Sequence, residues 1–469
     1  MNVRIYPQEF TGSIRIPASK SHTIRQLLIA SLADGISEIL YPLDSLDTRS
    51  CITACKIFGA KIDEYYEEDR LVKLTVKGNS VRAENLLPQQ ENILPSAPCP
   101  LPIEIDVGNS GTTLYLALAL AGLQNKPITF TGDEQIQKRS AAPLLEALSG
   151  VGVKCQSKEG CAPITVQGPW AGGKVVLPCP TSQYLSAMLI AAPLAPTGTV
   201  TEIEVPLLNE LPYIEMTLSY LREQGVHFEA DFSGHFVLHG GYSYKPFVSS
   251  GLRRASVPAD FSSAAFPAAA AAITGGPVTL LGLDPQDTQG DKFFLEMLRE
   301  MGCEVTWSSS VPINSSSVPN YTVTISRKGA LTGGTFDLNE TPDLLPAAAA
   351  VAAYAEGDTA LTNVAHARIK ETDRIAVMAK ELAKMGVKCT ENPDGLIIHG
   401  NGVSHQEKSA INSQNNTPLP TLDGHGDHRI VMALTVAALG GESPVEITSA
   451  ESAQVTYPEF FSMFSVNLG

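Results

Sequence analysis

Aromatic residues are scarce in this chain of 469 residues: they make up 6% of it, and only two are Trp. Charged residues account for 17%, and acidic residues outnumber basic ones by 49 to 33, which gives a formal net charge of -16. A protein with this surplus of negative charge repels phosphate backbones, so we do not expect it to bind nucleic acid. An anionic small substrate would require the few cations to be concentrated at one site.

The eight cysteines form no CxxC pair and no cluster with histidine, which argues against a metal or redox centre. We interpret them as small buried apolar side chains, including Cys51 and Cys55, which are four residues apart on a predicted helix. The first ten residues hold no apolar run of signal-peptide length, and no run of about 18 apolar residues occurs. We therefore expect a reduced, cytoplasmic protein without a membrane span or a metal.

Alanine, leucine and glycine are plentiful, and an apolar fraction of 43% is enough to fill large cores. One pattern recurs at intervals of about 70–90 residues. A Gly/Pro-rich turn leads through a hydrogen-bonding residue into an Ala/Leu-rich helix, and a β-branched strand follows. The six copies of this pattern occupy residues 17–35, 108–122, 180–198, 258–276, 342–357 and 426–441.

A second, amphipathic helix is predicted in five of the copies, each ending at a glycine: Gly59, Gly152, Gly225, Gly302 or Gly386. One copy cannot cover its own apolar faces, so several copies must share a core. We interpret segment 240–251 as a linker that divides the copies into three plus three. We predict irregular surface loops at 86–101, 308–320 and 402–419.

The start of each Ala/Leu-rich helix is a candidate anion site, because helix N-termini present free N–H groups and partial positive charge. Cations occur in motifs close to these turns: Lys20, Arg25, Lys138, Arg139, Arg368, Lys370, Arg374 and Arg429. The run KETDR alone would be typical of a solvated, salt-bridged helix end. Its occurrence together with the other cationic motifs favours a binding site for anions.

Seven motifs resemble those of one known family: PASKSHTIR, LDSLDTR, GNSGTT, TSQYLSAMLIAAPLA, IKETDRIAVMAKELAKMG, GDHR and TYPEFF. In their order they resemble the 5-enolpyruvylshikimate-3-phosphate synthase family over nearly the whole chain. The resemblance implies an α/β (α+β) fold of two similar domains, each with three βαβαββ units in pseudo-threefold symmetry, an inverse α/β barrel. The active site would lie in the interdomain cleft. We predict residues 1–18 plus 250–469 for one domain and 19–249 for the other.

The resemblance also implies an activity, the transfer of an enolpyruvyl group from phosphoenolpyruvate to the 5-hydroxyl of shikimate 3-phosphate. The enol carbon is protonated, the hydroxyl adds to form a tetrahedral ketal, and removal of a proton expels phosphate. This chemistry requires a proton donor, a base and cations around two anions. By the same resemblance no cofactor is used, the two substrates are the only partners, and we expect a monomer.

Site residues follow from the positions that match the family motifs. The implied catalytic residues are Lys20, Asp343 as the base, and Glu371 for the methylene proton. The implied ligands of shikimate 3-phosphate are Lys20, Ser21, Arg25, Thr181, Ser182, Gln183, Asp343 and Lys370. The implied ligands of phosphoenolpyruvate are Lys20, Asn109, Gly111, Thr112, Arg139, Gln183, Arg374 and Arg429. A purely structural role stays open for some of these residues, since Asp343 and Ser182 could simply cap helices and Glu371 could be a surface acid.

Six positions depart from the family pattern, namely Ala18, Tyr115, Ser140, Glu210, His366 and Val455. Tyr115 and Val455 stand where a cation is common, and Glu210 stands where a phosphate-binding Ser is usual. Two like charges about 4 Å apart repel by roughly 4 kcal/mol at an effective dielectric constant near 20, more than a few hydroxyl hydrogen bonds return. Glu210 must therefore turn away, be protonated, pair with a cation or face a different acceptor.

Two other functions stay open at this point. A related enolpyruvyl transferase that acts on UDP-N-acetylglucosamine usually has a Cys near the position of Glu134, and none occurs here. A binding module that kept the fold and lost turnover would explain Tyr115 and Glu210. The presence of Lys20 and Asp343 argues against that alternative.

Overall fold

The computed structural model describes residues 1–79, 103–248, 255–310, 320–402, 420–464 and 466–468. The predicted loop at 86–101 and nearly all of the one at 402–419 lie outside these residues. The prediction of a loop at 308–320 is wrong at its edges. Ser308 and Ser309 are strand residues that pair with Thr322 and Tyr321, because a neighbouring strand supplies the hydrogen bonds that a serine-rich sequence alone does not reveal.

The described helices are rich in Ala and Leu or are amphipathic, as the repeat predicts. They are α1 (Lys20–Leu32), α2 (Leu46–Ile57), α3 (Gly111–Ala121), α4 (Ala142–Gly150), α5 (Ser182–Ala191), α6 (Leu211–Gln224), α7 (Phe261–Thr274), α8 (Phe293–Glu300), α9 (Leu345–Ala352), α10 (Arg374–Lys384) and α11 (His428–Leu439).

The described strands are short and belong to sheets of three to five strands. They are β1 (Val3–Ile5), β2 (Gly12–Arg15), β3 (Ile36–Leu40), β4 (Lys61–Glu67), β5 (Arg70–Lys77), β6 (Ile103–Asp106), β7 (Ile128–Thr131), β8 (Lys154–Lys158), β9 (Cys161–Gln167), β10 (Gly173–Val176), β11 (Val200–Glu204), β12 (Phe228–Asp231), β13 (His235–His239), β14 (Val278–Leu281), β15 (Glu304–Ser310), β16 (Asn320–Ser326), β17 (Leu331–Thr332), β18 (Thr335–Asp337), β19 (Ala355–Thr362), β20 (Lys388–Asn392), β21 (Gly395–Asn401), β22 (Thr421–Leu422), β23 (Val445–Ile447) and β24 (Val466–Leu468).

The chain folds into two compact units. The continuous unit is Lys20–Val257, and the split unit combines Met1–Ser19 with Pro258–Gly469. The sequence places the corresponding boundaries after residues 18 and 249. The assignment of three repeats with pseudo-threefold symmetry to each domain stays a prediction.

Each unit is built around the Ala/Leu-rich helices. In the split unit α7, α9 and α11 pack against one another, and in the continuous unit α3 packs against both α1 and α5. Every residue of α3 and of α11 is buried. The buried apolar residues of α7, α9 and α11 form one cluster, so the prediction that several repeats share a core is confirmed for the split unit.

The sheets repeat one connection. In three of them a strand leads through a buried helix to a parallel neighbour, and an antiparallel hairpin completes the sheet. The strand orders of these three sheets are β6-β7-β9-β8, β10-β11-β13-β12 and β17-β19-β21-β20. In the last of them β18 also pairs with β19. The sixth copy differs, because β1 pairs with both β23 and β24. Strands from the beginning and the end of the chain therefore complete its sheet.

The segment 240–248 belongs to the continuous unit. Tyr244 and Phe247 are buried, and their carbonyls accept hydrogen bonds from the Asp34 N–H at 3.0 Å and the Glu38 N–H at 2.8 Å. Our interpretation of this segment as a linker is therefore wrong for the residues described. Its Gly- and Ser-rich composition is typical of a linker, but two buried aromatic side chains hold the segment in the continuous unit.

Candidate active site

In the split unit five charged residues lie together at the starts of three helices. We call Asp343, Glu371, Arg374, Asp427 and Arg429 the arginine cluster. Asp343 lies in the short 3-10 helix Pro342–Leu344 that leads into α9, and Arg374 is the first residue of α10. Asp427 caps α11, where its side chain accepts from the Arg429 N–H. Two of these three helix starts, those of α9 and α11, are among the anion sites that the sequence predicts.

Arg374 lies at the centre of the arginine cluster. Its guanidinium contacts Asp343 (Nη1–Oδ1, 2.7 Å), Glu371 (Nη2–Oε2, 2.5 Å) and Asp427 (Nε–Oδ2, 2.8 Å), and the residue is fully buried. Asp343 is shared, because its other oxygen pairs with Arg429 Nη2 at 2.9 Å. One carboxylate thus bridges the two arginines that the sequence assigns to a single anionic substrate.

The charges of the cluster fix its protonation. Burial alone would raise the pKa of the Asp343 carboxyl, but Arg429, Lys370 and Arg374 hold it well below its usual range. Burial likewise opposes ionisation of Asp427, and Arg374 more than offsets it, so its pKa is lowered. The pKa of Arg374 is raised by Asp427, Glu371 and Asp343, which outweigh the effect of burial. Asp343, Asp427 and Arg374 are therefore charged at neutral pH.

Two residues of this site are not assigned to it by the sequence motifs. Asp427 holds Arg374, and Ser262 in α7 accepts a hydrogen bond from Arg429 Nη1 at 2.5 Å. Asp427 is part of the motif GDHR, and an acidic residue directly before an apolar helix is a recognisable N-cap signal. No local signal indicates Ser262, because α7 and α11 are far apart in the chain.

Asp427→Asn is expected to lower the free energy of unfolding by about 3–5 kcal/mol at pH 7, because Arg374 keeps a buried charge with one ionic partner fewer. The folded-state pKa of Asp427 is depressed, so its contribution is present above the ordinary value of 3.8 and is lost as the pH falls below it. Urea unfolding at pH 7 and near pH 3 tests this expectation. The difference between variant and wild type should shrink in acid.

Asp373→Asn is the matched control for that substitution. Asp373 also caps a helix and pairs with an arginine, Arg368, but its side chain is 38% exposed. Its loss should cost about 1 kcal/mol or less. Equal destabilisation by the two variants would contradict the importance of the buried Asp427–Arg374 pair.

In the continuous unit Lys20 begins α1 and pairs with Asp47 in the first turn of α2, with Nζ and Oδ2 2.9 Å apart. Arg25, one turn further along α1, is buried and donates to Thr217 Oγ1 at 2.9 Å, Ser186 Oγ at 3.2 Å and the Ser21 carbonyl at 3.1 Å. Burial lowers the pKa of Arg25 to about 10. The structure thus brings Ser21 and Arg25 together, with Arg25 bonded to neutral groups of its own unit.

Asn109, Gly111 and Arg139 also lie together. Arg139 Nη2 donates to Asn109 Oδ1 at 3.4 Å, and Asn109 Nδ2 in turn donates to Asp133 Oδ2 at 2.6 Å. A Cβ atom at Gly111 would lie 2.7 Å from Arg139 Nη1, so only glycine lets this guanidinium approach the helix start without a shift. Thr112 follows in the same buried first turn of α3.

Tyr115 occupies the next turn of α3 and pairs with Tyr184. The two rings are perpendicular, with centroids 5.0 Å apart, and the Tyr184 hydroxyl donates to the Ser140 carbonyl at 2.5 Å. Burial is the main cause that raises the pKa of Tyr184, so its hydroxyl stays neutral. An uncharged aromatic pair therefore stands beside Gly111 where the family pattern has a cation.

Thr181, Ser182 and Gln183 form the start of α5. The Thr181 side chain caps the helix, and the hydroxyls of Thr181 and Ser182 both donate to the Glu210 carboxylate. Glu210 therefore does not turn away from these residues. Among the described residues, Gln183 Oε1 is a buried oxygen that receives no hydrogen bond.

Comparison with known proteins gives the family. The family model for EPSP synthase (3-phosphoshikimate 1-carboxyvinyltransferase) matches residues 6–464. A 3-phosphoshikimate 1-carboxyvinyltransferase of Acetivibrio thermocellus is 39% identical over 468 residues, covering 99% of this chain and 98% of the relative. One of Nitrosopumilus maritimus is 35% identical, covering 98% of this chain and 97% of the relative.

A solved structure of EPSP synthase from Acinetobacter baumannii is similar to this chain, with a TM-score of 0.75 at 26% identity and 99% of both chains covered. The predicted α/β fold class is confirmed by this likeness. No described helix is long and apolar enough to cross a lipid bilayer. Sequence motifs, fold and relatives agree, and the chain belongs to the EPSP synthase family.

Proposed function

We propose that this chain transfers the enolpyruvyl group of phosphoenolpyruvate to the 5-hydroxyl of shikimate 3-phosphate, the step of the shikimate pathway that leads towards chorismate and the aromatic amino acids. The observation that carries the proposal is the Asp343 carboxylate shared between Arg374 and Arg429, with Glu371 on the same guanidinium. It combines cations for an anionic substrate with carboxylates for proton transfer. The monomeric state and cytoplasmic location expected from the sequence belong to the same proposal.

Arg374 and Arg429 are proposed to bind phosphoenolpyruvate. Guanidinium groups match the planar, bidentate geometry of carboxylate and the oxygens of phosphate. Both arginines are already oriented by carboxylates of their own unit, so little side-chain ordering remains to be done when substrate binds. In the continuous unit Lys20 and Arg139 are proposed to contact the same substrate, with Arg139 aligned by Asn109.

Proton transfer is assigned to the carboxylates of the arginine cluster. Glu371 in its protonated form delivers a proton to the methylene carbon, and Asp343 accepts the proton of the hydroxyl that adds to the neighbouring carbon. The Glu371 carboxylate then removes a proton from the resulting methyl group, the double bond forms again and phosphate leaves. The low pKa of Asp343 makes it a weak base in the free protein, because Arg429 and Arg374 stabilise its charge. The anionic groups of phosphoenolpyruvate compete for those arginines, so substrate binding raises the basicity of Asp343.

The acceptor is proposed to bind through Ser21, Arg25, Thr181, Ser182, Gln183 and Lys370. Arg25 supplies charge for its carboxylate, and the helix start at Thr181 and Ser182 supplies donors for its phosphate. The buried Gln183 Oε1 offers an acceptor for a substrate hydroxyl. Lys20 is the group proposed to contact both substrates.

Phosphate release from phosphoenolpyruvate, measured with and without shikimate 3-phosphate, tests the function. We expect release only when the acceptor is present. Release that requires UDP-N-acetylglucosamine instead would support the related transferase. Binding of phosphoenolpyruvate without release under any of these conditions would support a binding module.

Because Tyr115 stands where a cation is common in the family, we expect weak affinity for phosphoenolpyruvate. A charge-assisted hydrogen bond contributes about 1.5–3 kcal/mol, so its absence should raise KM for phosphoenolpyruvate roughly ten- to hundredfold relative to an EPSP synthase with arginine there. Tyr115→Arg should lower KM and alter inhibition by glyphosate, whereas Tyr115→Phe should change neither. Steady-state kinetics provide the test, and a KM for wild type equal to that of Tyr115→Arg would contradict the expectation.

A further inference from the structure

The Glu210 side chain occupies a group of donors at the start of α5. One carboxylate oxygen, Oε2, accepts from the Ser182 N–H at 2.9 Å, from Ser182 Oγ at 2.6 Å and from Thr181 Oγ1 at 3.3 Å. We call these three donors the Thr181–Ser182 cradle. Because a helix N-terminus attracts any anion, the same three donors suit an oxygen of a phosphate group.

The backbone around Glu210 keeps the carboxylate at the cradle. Glu210 is 2% exposed and has φ 59° and ψ 44°, a left-handed conformation that residues other than glycine seldom adopt. The preceding residues are tied to the strand end before α5: the Cys179 N–H donates to the Leu207 carbonyl at 2.7 Å, and the Asn209 N–H donates to the Cys179 carbonyl at 3.3 Å. The carboxylate therefore leaves the cradle by rotation of its side chain more readily than by movement of its loop.

The charge of Glu210 acts on the neighbouring Arg25. Burial lowers the pKa of Arg25, and the Glu210 carboxylate is one of the groups that oppose this effect. A phosphate group that entered the Thr181–Ser182 cradle would meet a carboxylate already bound to the same donors. Two anions within hydrogen-bond distance of one set of donors repel strongly in a buried site, so only one of them can occupy it.

We propose that Glu210 determines acceptor specificity, as a built-in ligand of the Thr181–Ser182 cradle that competes with the phosphate group of the acceptor. The inference rests on the proposed function, since that function supplies a phosphorylated acceptor. The phosphate group of the acceptor therefore contributes less to binding than it would if residue 210 were neutral. Wild type should therefore discriminate weakly between shikimate 3-phosphate and shikimate.

The test compares wild type, Glu210→Ser and Glu210→Gln, each with both acceptors. Calorimetry gives the dissociation constants, and phosphate release from phosphoenolpyruvate gives kcat and KM. Glu215→Gln is the control, because Glu215 lies in α6, the helix that begins directly after Glu210, and pairs with Arg222 through partly exposed side chains. Glu210→Gln preserves the size of the side chain, so the test stands even if Glu210→Ser folds poorly.

We expect Glu210→Ser to tighten binding of shikimate 3-phosphate about thirtyfold and Glu210→Gln about tenfold, with little change for shikimate. The gain should appear in KM for the phosphorylated acceptor rather than in kcat, and Glu215→Gln should stay within twofold of wild type. An unchanged ratio of the two dissociation constants in both Glu210 variants would overturn the inference. The binding ratio is measured without turnover, so absence of phosphate release in wild type would count against the proposed function alone.

Discussion

Replacement of Glu371 by Gln should lower kcat about a thousandfold while the protein stays folded. In the proposed mechanism Glu371 delivers the proton to the methylene carbon, and an amide cannot do so; loss of a positioned acid commonly costs a factor of about 10²–10⁴. Arg374 keeps its contacts with Asp343 and Asp427 in this variant, so its position is retained. Steady-state phosphate release, with thermal unfolding as a check on folding, measures both effects.

Glu296→Gln is the matched control for that substitution. Glu296 also pairs with an arginine three residues later, Arg299, but its side chain is 55% exposed, whereas that of Glu371 is 14% exposed. The control should retain the activity of wild type. Near-normal kcat in Glu371→Gln would remove Glu371 from the mechanism, whatever the behaviour of the control.

Asp343→Asn should reduce kcat by a similar factor, about a thousandfold, through loss of the base. A second effect separates this role from a structural one. Asp343 neutralises Arg374 and Arg429 in the free protein, so its replacement by a neutral residue leaves both arginines more available to an anion. KM for phosphoenolpyruvate should therefore stay unchanged or fall, although kcat decreases.

The control for Asp343→Asn is Asp358→Asn on β19, an exposed aspartate of the same unit that pairs with His399. Its kinetics should match those of wild type. If Asp343→Asn instead raised KM for phosphoenolpyruvate and left kcat intact, Asp343 would be a positioning residue for the arginines. A base elsewhere in the chain would then be required.

Much of the fold could be predicted from the sequence, because short stretches of sequence indicate the helices and their ends. Apolar runs rich in Ala mark the buried helices, and a glycine after each amphipathic helix marks its end; Gly225, for example, has φ 74° and caps α6. The failures have a common physical cause. The composition of segment 240–248 is typical of a linker, but its Tyr244 and Phe247 accept hydrogen bonds from Asp34 and from Glu38 of β3, which lie about 200 residues earlier in the chain.

The candidate site could be predicted in part. The motifs supply Arg374, Arg429 and Asp343, yet the pairing of one carboxylate with both arginines depends on how α9, α10 and α11 meet. Ser262 was missed for the same reason, since its contact with Arg429 spans 167 residues. The sequence identified Glu210 as anomalous but left four possibilities, and only the side-chain position shows that it bonds to Thr181 and Ser182.

Phosphorus NMR of a mixture of the protein, phosphoenolpyruvate and shikimate 3-phosphate follows enolpyruvyl transfer directly. We expect the phosphoenolpyruvate signal to decline and the signal of inorganic phosphate to grow by the same amount. The phosphate ester of the enolpyruvyl product should replace shikimate 3-phosphate one for one. Glu371→Gln should leave the spectrum unchanged on the same time scale. Persistence of both substrate signals with the folded wild-type protein would contradict enolpyruvyl transfer by this chain.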